Sequence, residues 1–108
     1  MHSCYIIFSK KLSRFYIGAC HDSLEERLKK HNDHSYGVQR FTAKANDWVL
    51  FLAIECDSFS QALKIEKHIK SMKSSAYIRN LVKFPEMATN LKLKFQSLET
   101  DSPDSYRG

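Results

Sequence analysis

The stretch CYIIFSKKLSRFYIG, residues 4–18, decides the fold. Two apolar runs flank a short basic turn, which is the pattern of a β-hairpin with strands over 3–9 and 14–20. Side chains alternate between the faces of a strand, so parity decides which residues point together. An even-length loop puts Cys4, Ile6, Phe8, Phe15, Ile17 and Ala19 on one wholly apolar face. The opposite face then holds Tyr5, Ile7, Ser9, Arg14, Tyr16, Gly18 and Cys20. An odd loop scatters both sets, so composition selects the even register. Tyr5 and Tyr16 thereby share a face, beside a glycine that leaves room for a ligand. The competing account is two tyrosines in an amphipathic core with their hydroxyls at its rim.

Beyond the hairpin, DSLEERLKKHND reads as a helix, with Ser23 as N-cap and Glu26 three residues on. Residues 33–47 show no sustained period, and so long an unstructured connection is usually functional or mobile. WVLFLAIEC is a third strand. A second helix follows over SFSQALKIEKHIKSMK, capped by Ser58 with Gln61 at N3, its buried stripe being Ala62, Ile65, Ile69 and Met72. A third, shorter helix groups Tyr77, Ile78, Leu81 and Val82 on one side. Pro85 breaks it and sits where a fourth can start. The expected fold is α/β, a small three-stranded sheet flanked by helices in the order β-β-α-β-α-α. Helices must pack on so small a sheet, which cannot stand alone. Residues 1–96 are expected to form a single domain, and 97–108 a polar, disordered tail.

The formal net charge is +5. The last twelve residues carry three acids and one arginine, a net of −2, which leaves +7 on residues 1–96. A surface this basic suits a polyanion, most simply nucleic acid, although solubility alone also explains it. The loop with Tyr36, Arg40, Phe41 and Lys44 interleaves aromatic and basic side chains, as nucleic-acid grips do. No apolar run approaches the roughly 20 residues that span a bilayer, and the N-terminus has no signal-peptide pattern. Cys4, Cys20 and Cys56 are odd in number and lie in strand-like runs, which points to reduced, packed thiols in a cytoplasmic protein. Structural zinc on Cys20, His21, His31 and His34 is not expected, because their spacing matches no short-knuckle pattern.

Two helices carry polar residues on or beside their core stripes. In the first, Leu24, Arg27, Leu28 and His31 follow the i, i+3, i+4, i+7 rule. In the second, Glu66 stands next to Ile65 and four residues from Lys70. Taken singly these read as a snorkelling arginine, a rim histidine and a surface ion pair.

Taken together and in order, they resemble the GIY-YIG nuclease superfamily. The likeness is to its small stand-alone bacterial members, which are similar to the nuclease domain of the bacterial excinuclease. SCY (3–5) stands for the first motif and YIG (16–18) matches the second, ten residues apart. LEERLKKHN (24–32) resembles the arginine-bearing helix, and ALKIEKHIKSMKS (62–74) the glutamate-bearing one. With the third strand and SAYIRNLV, the likeness covers roughly residues 3–84.

The resemblance implies an endonuclease hydrolysing DNA phosphodiesters, in repair or recombination. It makes Tyr5 and Tyr16 the motif tyrosines, one of them the general base. Gly18 becomes the glycine of close approach, Arg27 the residue that steadies the scissile phosphate, and His31 the ring one turn later. Glu66 becomes the single protein ligand of one Mg²⁺ or Mn²⁺ ion. Tyr36, Arg40, Lys44 and Lys70 are the further residues expected to meet the substrate. One carboxylate suits Mg²⁺, which keeps most of its waters. A guanidinium offers forked donors to phosphate oxygens. Ser3 and Cys4 depart from the first motif, and Ala19 follows YIG where several better-known members carry lysine. The basic loop around Tyr36, Arg40, Phe41 and Lys44 has to supply much of the grip, and a homodimer or a repair-complex partner is a further expectation. The alternative is a non-catalytic nucleic-acid-binding module, or one component of a larger repair complex.

Overall fold

The computed structural model describes residues 1–35, 37 and 41–96. Tyr36, Arg40 and the 97–108 tail lie outside the described residues. Strands β1 (His2–Ser9) and β2 (Arg14–Cys20) form the hairpin. Then come α1 (Leu24–Asn32), a 3-10 turn (Phe41–Lys44), β3 (Val49–Cys56), α2 (Phe59–Met72), α3 (Ser75–Lys83) and α4 (Pro85–Lys94). The fold is thus the expected α/β arrangement, with a fourth helix completing the order.

The sheet order is β2-β1-β3, with β1 antiparallel to both neighbours. Cys4 pairs with Ala19, Ile6 with Ile17 and Phe8 with Phe15, so the hairpin has the even register. Against β3 the register shifts between Ile6 and Ile7, a β-bulge that leaves Phe51 without an opposite number. Phe51 instead meets the edge of the Phe15 ring, with centroids 4.9 Å apart.

Local chemistry starts each helix. The hydroxyls of Ser23, Ser58 and Ser74 accept from the backbone N–H of Glu26, Gln61 and Tyr77 at the starts of α1, α2 and α3. Gln61 is buried; its Oε1 accepts from Asp57 N–H at 2.7 Å, and its Nε2 donates to the Lys92 carbonyl at 2.8 Å, tying α2 to α4. Pro85 occupies the first turn of α4, where its missing N–H costs nothing.

Each face of the sheet has its own core. On one, Cys4, Ile6, Ile54 and Cys56 pack with Ala62, Ile65 and Ile69 of α2, Ile78 and Leu81 of α3, and Leu91 of α4. Burial of each large aliphatic side chain there stabilises by about 1.5–3 kcal/mol. On the other face, Tyr5, Ile7 and Cys20 pack with Ala45 and Trp48, flanked by Leu24 and Leu28 of α1. One expected core residue is corrected. Met72 is 43% exposed, at the last residue of α2 before Lys73 turns the chain in a left-handed conformation (φ 48°). Of the residues grouped on one side of α3, Ile78 and Leu81 are buried and Val82 is exposed.

Candidate active site

Tyr5 lies directly across from Gly18, and its ring covers that glycine. A Cβ at position 18 would stand 2.5 Å from the Tyr5 hydroxyl and 2.6 Å from Cζ. The space left by the missing side chain is therefore filled by Tyr5 itself. This corrects the expectation of room for a ligand: the glycine admits a tyrosine, as aromatic rings cover glycines in edge strands.

Held there at 3% exposure, the Tyr5 hydroxyl hydrogen-bonds His31 Nε2 at 2.8 Å. The other ring nitrogen, Nδ1, bonds the Thr42 hydroxyl at 2.9 Å. A neutral imidazole has one donor and one acceptor nitrogen, so Tyr5, His31 and Thr42 form a directional chain. Burial makes such a chain stronger than it would be in water.

Thr42 belongs to the aperiodic segment, and polar bonds to the core position it. Asn32 at the end of α1 clasps the Trp48 backbone twice, Nδ2 to the carbonyl at 3.0 Å and Oδ1 from the N–H at 2.7 Å. The Trp48 indole N–H donates to the Thr42 carbonyl at 2.9 Å. Asp47 accepts from the Ser9 hydroxyl at 2.6 Å and from the Lys11 N–H at 2.9 Å, and these bonds hold its carboxyl below the usual range. Phe41 stands 6.1 Å from Trp48, with the Lys44 ammonium 5.3 Å from the Phe41 ring, so Lys44 lies outward of this layer.

Tyr16 links the two helical layers. Its ring is 5.1 Å from that of His31, on the α1 side. The Lys70 ammonium of α2 lies 5.9 Å from the same ring. Lys70 in turn pairs with Glu66 at 2.6 Å, the two side chains being 50% and 17% exposed. β2 is an edge strand, which is why residues of both layers can meet around it. Arg27 lies one turn before His31 on α1, and its Nε donates to Asp22 Oδ1 at 3.3 Å, just past the end of β2. Desolvation is the largest single influence on Asp22 and opposes its ionisation, but the hydrogen bond and charge of Arg27 together outweigh it and hold the carboxyl low.

The structure thus brings Tyr5, His31, Tyr16, Lys70 and Glu66 into one continuous run of contacts. Asp22, Asn32, Thr42 and Trp48 are the supporting residues that periodicity missed; Trp48, expected to open the third strand, instead stands just before it.

Glu66 bears on metal binding. Among the described residues no group of three or more His, Cys, Asp and Glu could hold an ion. A lone carboxylate nevertheless fits Mg²⁺, which takes one or two protein carboxylates with water and substrate phosphates. In this structure the Glu66 carboxylate is paired with the Lys70 ammonium, which also faces the Tyr16 ring. An i,i+4 pair of this kind contributes about 1 kcal/mol or less, a small cost to open.

A family model described as the GIY-YIG catalytic domain matches residues 1–79. No curated protein and no solved structure gives a significant match.

Proposed function

Because the chain belongs to the GIY-YIG family, whose fold is of nuclease type, we propose that it is a divalent-metal-dependent endonuclease acting on DNA phosphodiesters. One observation carries this reading: Tyr5, His31, Tyr16, Lys70 and Glu66 form one run of contacts around the β2 edge, buried at Tyr5 and His31 and half-exposed at Lys70.

Of the two tyrosines, Tyr5 has a proton acceptor in contact, and is the better candidate for general base. A phenol of pKa about 10 is a weak base at neutral pH. With Nδ1–H donated to Thr42, His31 Nε2 accepts the phenolic proton as Tyr5 takes one from the attacking water. The water oxygen bonds to phosphorus, the bond to the leaving oxygen breaks, and that oxygen takes a proton from solvent. Tyr16, half-buried on the edge strand, offers its hydroxyl to a phosphate oxygen. Arg27 leaves Asp22 to neutralise charge on the phosphorane, the kind of contact worth most in a transition state. Glu66 would hold the divalent ion, which when bound supplies Lewis acidity and activates water.

Replacing Glu66 by Gln is expected to lower plasmid nicking in Mg²⁺ or Mn²⁺ by about a hundred- to a thousandfold, on the scale of losing a charge-stabilising group. The melting temperature should stay within a few degrees. Full activity in the folded variant would remove Glu66 from the chemistry.

The Glu66–Lys70 pair, together with Ala19, favours a second reading: a nucleic-acid-binding module whose Glu66 carboxylate serves its lysine partner and holds no metal ion. It predicts salt-sensitive DNA binding and no nicking by the wild-type chain.

A further inference from the structure

At the hairpin end of β2, an open cavity of about 470 Å³ is lined by Ser13, Arg14, Phe15, Lys73, Ser74, Ser75, Ile78 and Arg79. Three of these are cations and none is acidic. Among the described residues, Arg14, Lys73 and Arg79 take part in no ion pair. Arg79 is steadied by the Phe15 ring, its guanidinium carbon 5.2 Å from the centroid, which fixes the charge at the cavity without neutralising it. Ser74 and Ser75 open the N-terminal end of α3 onto the same space, adding hydroxyls and a modest positive field.

The cavity also lies in line with the candidate active site. Arg14 is two residues before Tyr16 on the same strand face, about 7 Å along β2 at the strand rise. Lys73 caps the C-terminal end of α2, three residues after Lys70. A strand of nucleic acid with its scissile phosphate at Tyr16 would present a neighbouring phosphate here.

We propose that this cavity is a second phosphate site, gripping the backbone of the cleaved strand next to the scissile bond; this rests on nucleic acid being the substrate. Arg14, Lys73 and Arg79 take over part of the grip that the alanine after YIG cannot give. These contacts fix register on the strand without reading its bases.

The test uses the full chain carrying Lys73→Asn together with Arg79→Gln. Asparagine tolerates the positive φ of residue 73, and glutamine keeps most of the stem of an exposed residue. Binding of a fluorescein-labelled DNA duplex is followed by anisotropy in EDTA, between about 50 and 200 mM salt. The double variant should bind roughly tenfold more weakly at the lower salt, and its slope of log affinity against log salt should flatten by about two, one for each lost contact. Hydrolysis of bis(p-nitrophenyl) phosphate, too small to reach the cavity, should be unchanged. If the double variant melts early, Arg79→Gln alone should flatten the slope by about one. Folded variants with wild-type affinity and slope overturn the second site alone. A wild-type chain that neither binds duplex nor hydrolyses the small diester overturns the nuclease reading, and this site with it.

Discussion

The two faces of the sheet are built from alternate residues of the same strands, yet they do different work. The face under α2, α3 and α4 is mainly aliphatic, and its buried thiols are inert. Burial pushes the Cys4 thiol well above its ordinary value, helped by Cys56 and Glu66, and burial likewise raises Cys56. Both thiols therefore stay protonated and serve as small apolar fillers. The face under α1 buries less aliphatic surface and many more hydrogen bonds. The Tyr5–His31–Thr42 chain, the Asn32–Trp48 clasp and the Ser9–Asp47 bond all lie on that side. One face supplies stability through area, and the other supplies position through directional bonds.

Substitutions that separate the faces test this contrast. The largest stability loss should come from Ile65→Ala beneath α2, by about 2–5 kcal/mol. Chemical denaturation would show it, and activity per folded molecule should stay near wild type. Loss of activity in proportion greater than loss of fold would mean that the aliphatic face also sets the site.

Gly18→Ala should cost less stability but more function. The new methyl collides with a buried ring whose hydroxyl is bonded to His31, so ring and backbone must shift. About 1–3 kcal/mol of destabilisation is expected, as for other overpacked sites. Nicking should fall further than the folded fraction does. An unchanged rate would separate the Tyr5–His31 bond from the chemistry.

The smallest effect belongs to Asp47→Asn, visible as a pH dependence. The Asp47 carboxyl is held below its ordinary 3.8 by Ser9 and the Lys11 N–H, so folding favours the ionised form. That contribution is present above the unfolded value and is lost as pH falls through the lower folded value. Urea midpoints of the wild type should therefore drop below about pH 4, and the drop should be shallower in the variant. Parallel curves would show that the bonds to Asp47 do not strap the segment in solution.

Much of this molecule was legible because it is local. Hairpin parity follows from strand geometry, and the registers of Cys4, Ile6 and Phe8 agree with it. The serine caps at positions 23 and 58 follow from three-residue spacing, and the stripe of Ala62, Ile65 and Ile69 from helical period. Periodicity overreached at Met72, because it states which residues share a side but not where a helix stops meeting its neighbour.

The sequence by itself determined the α/β order, the shared face of Tyr5 and Tyr16, and the helices that bear Arg27, His31 and Glu66. Only the tertiary structure decided what those residues touch. Gly18 makes room for Tyr5, Thr42 completes the His31 chain from within a segment of no period, and Lys70 reaches both Glu66 and Tyr16. Arg14, Lys73 and Arg79, scattered through the chain, line one cavity. The physical reason is separation along the backbone: alternation and caps act over two to four residues, whereas these contacts exist only once the layers close around the β2 edge.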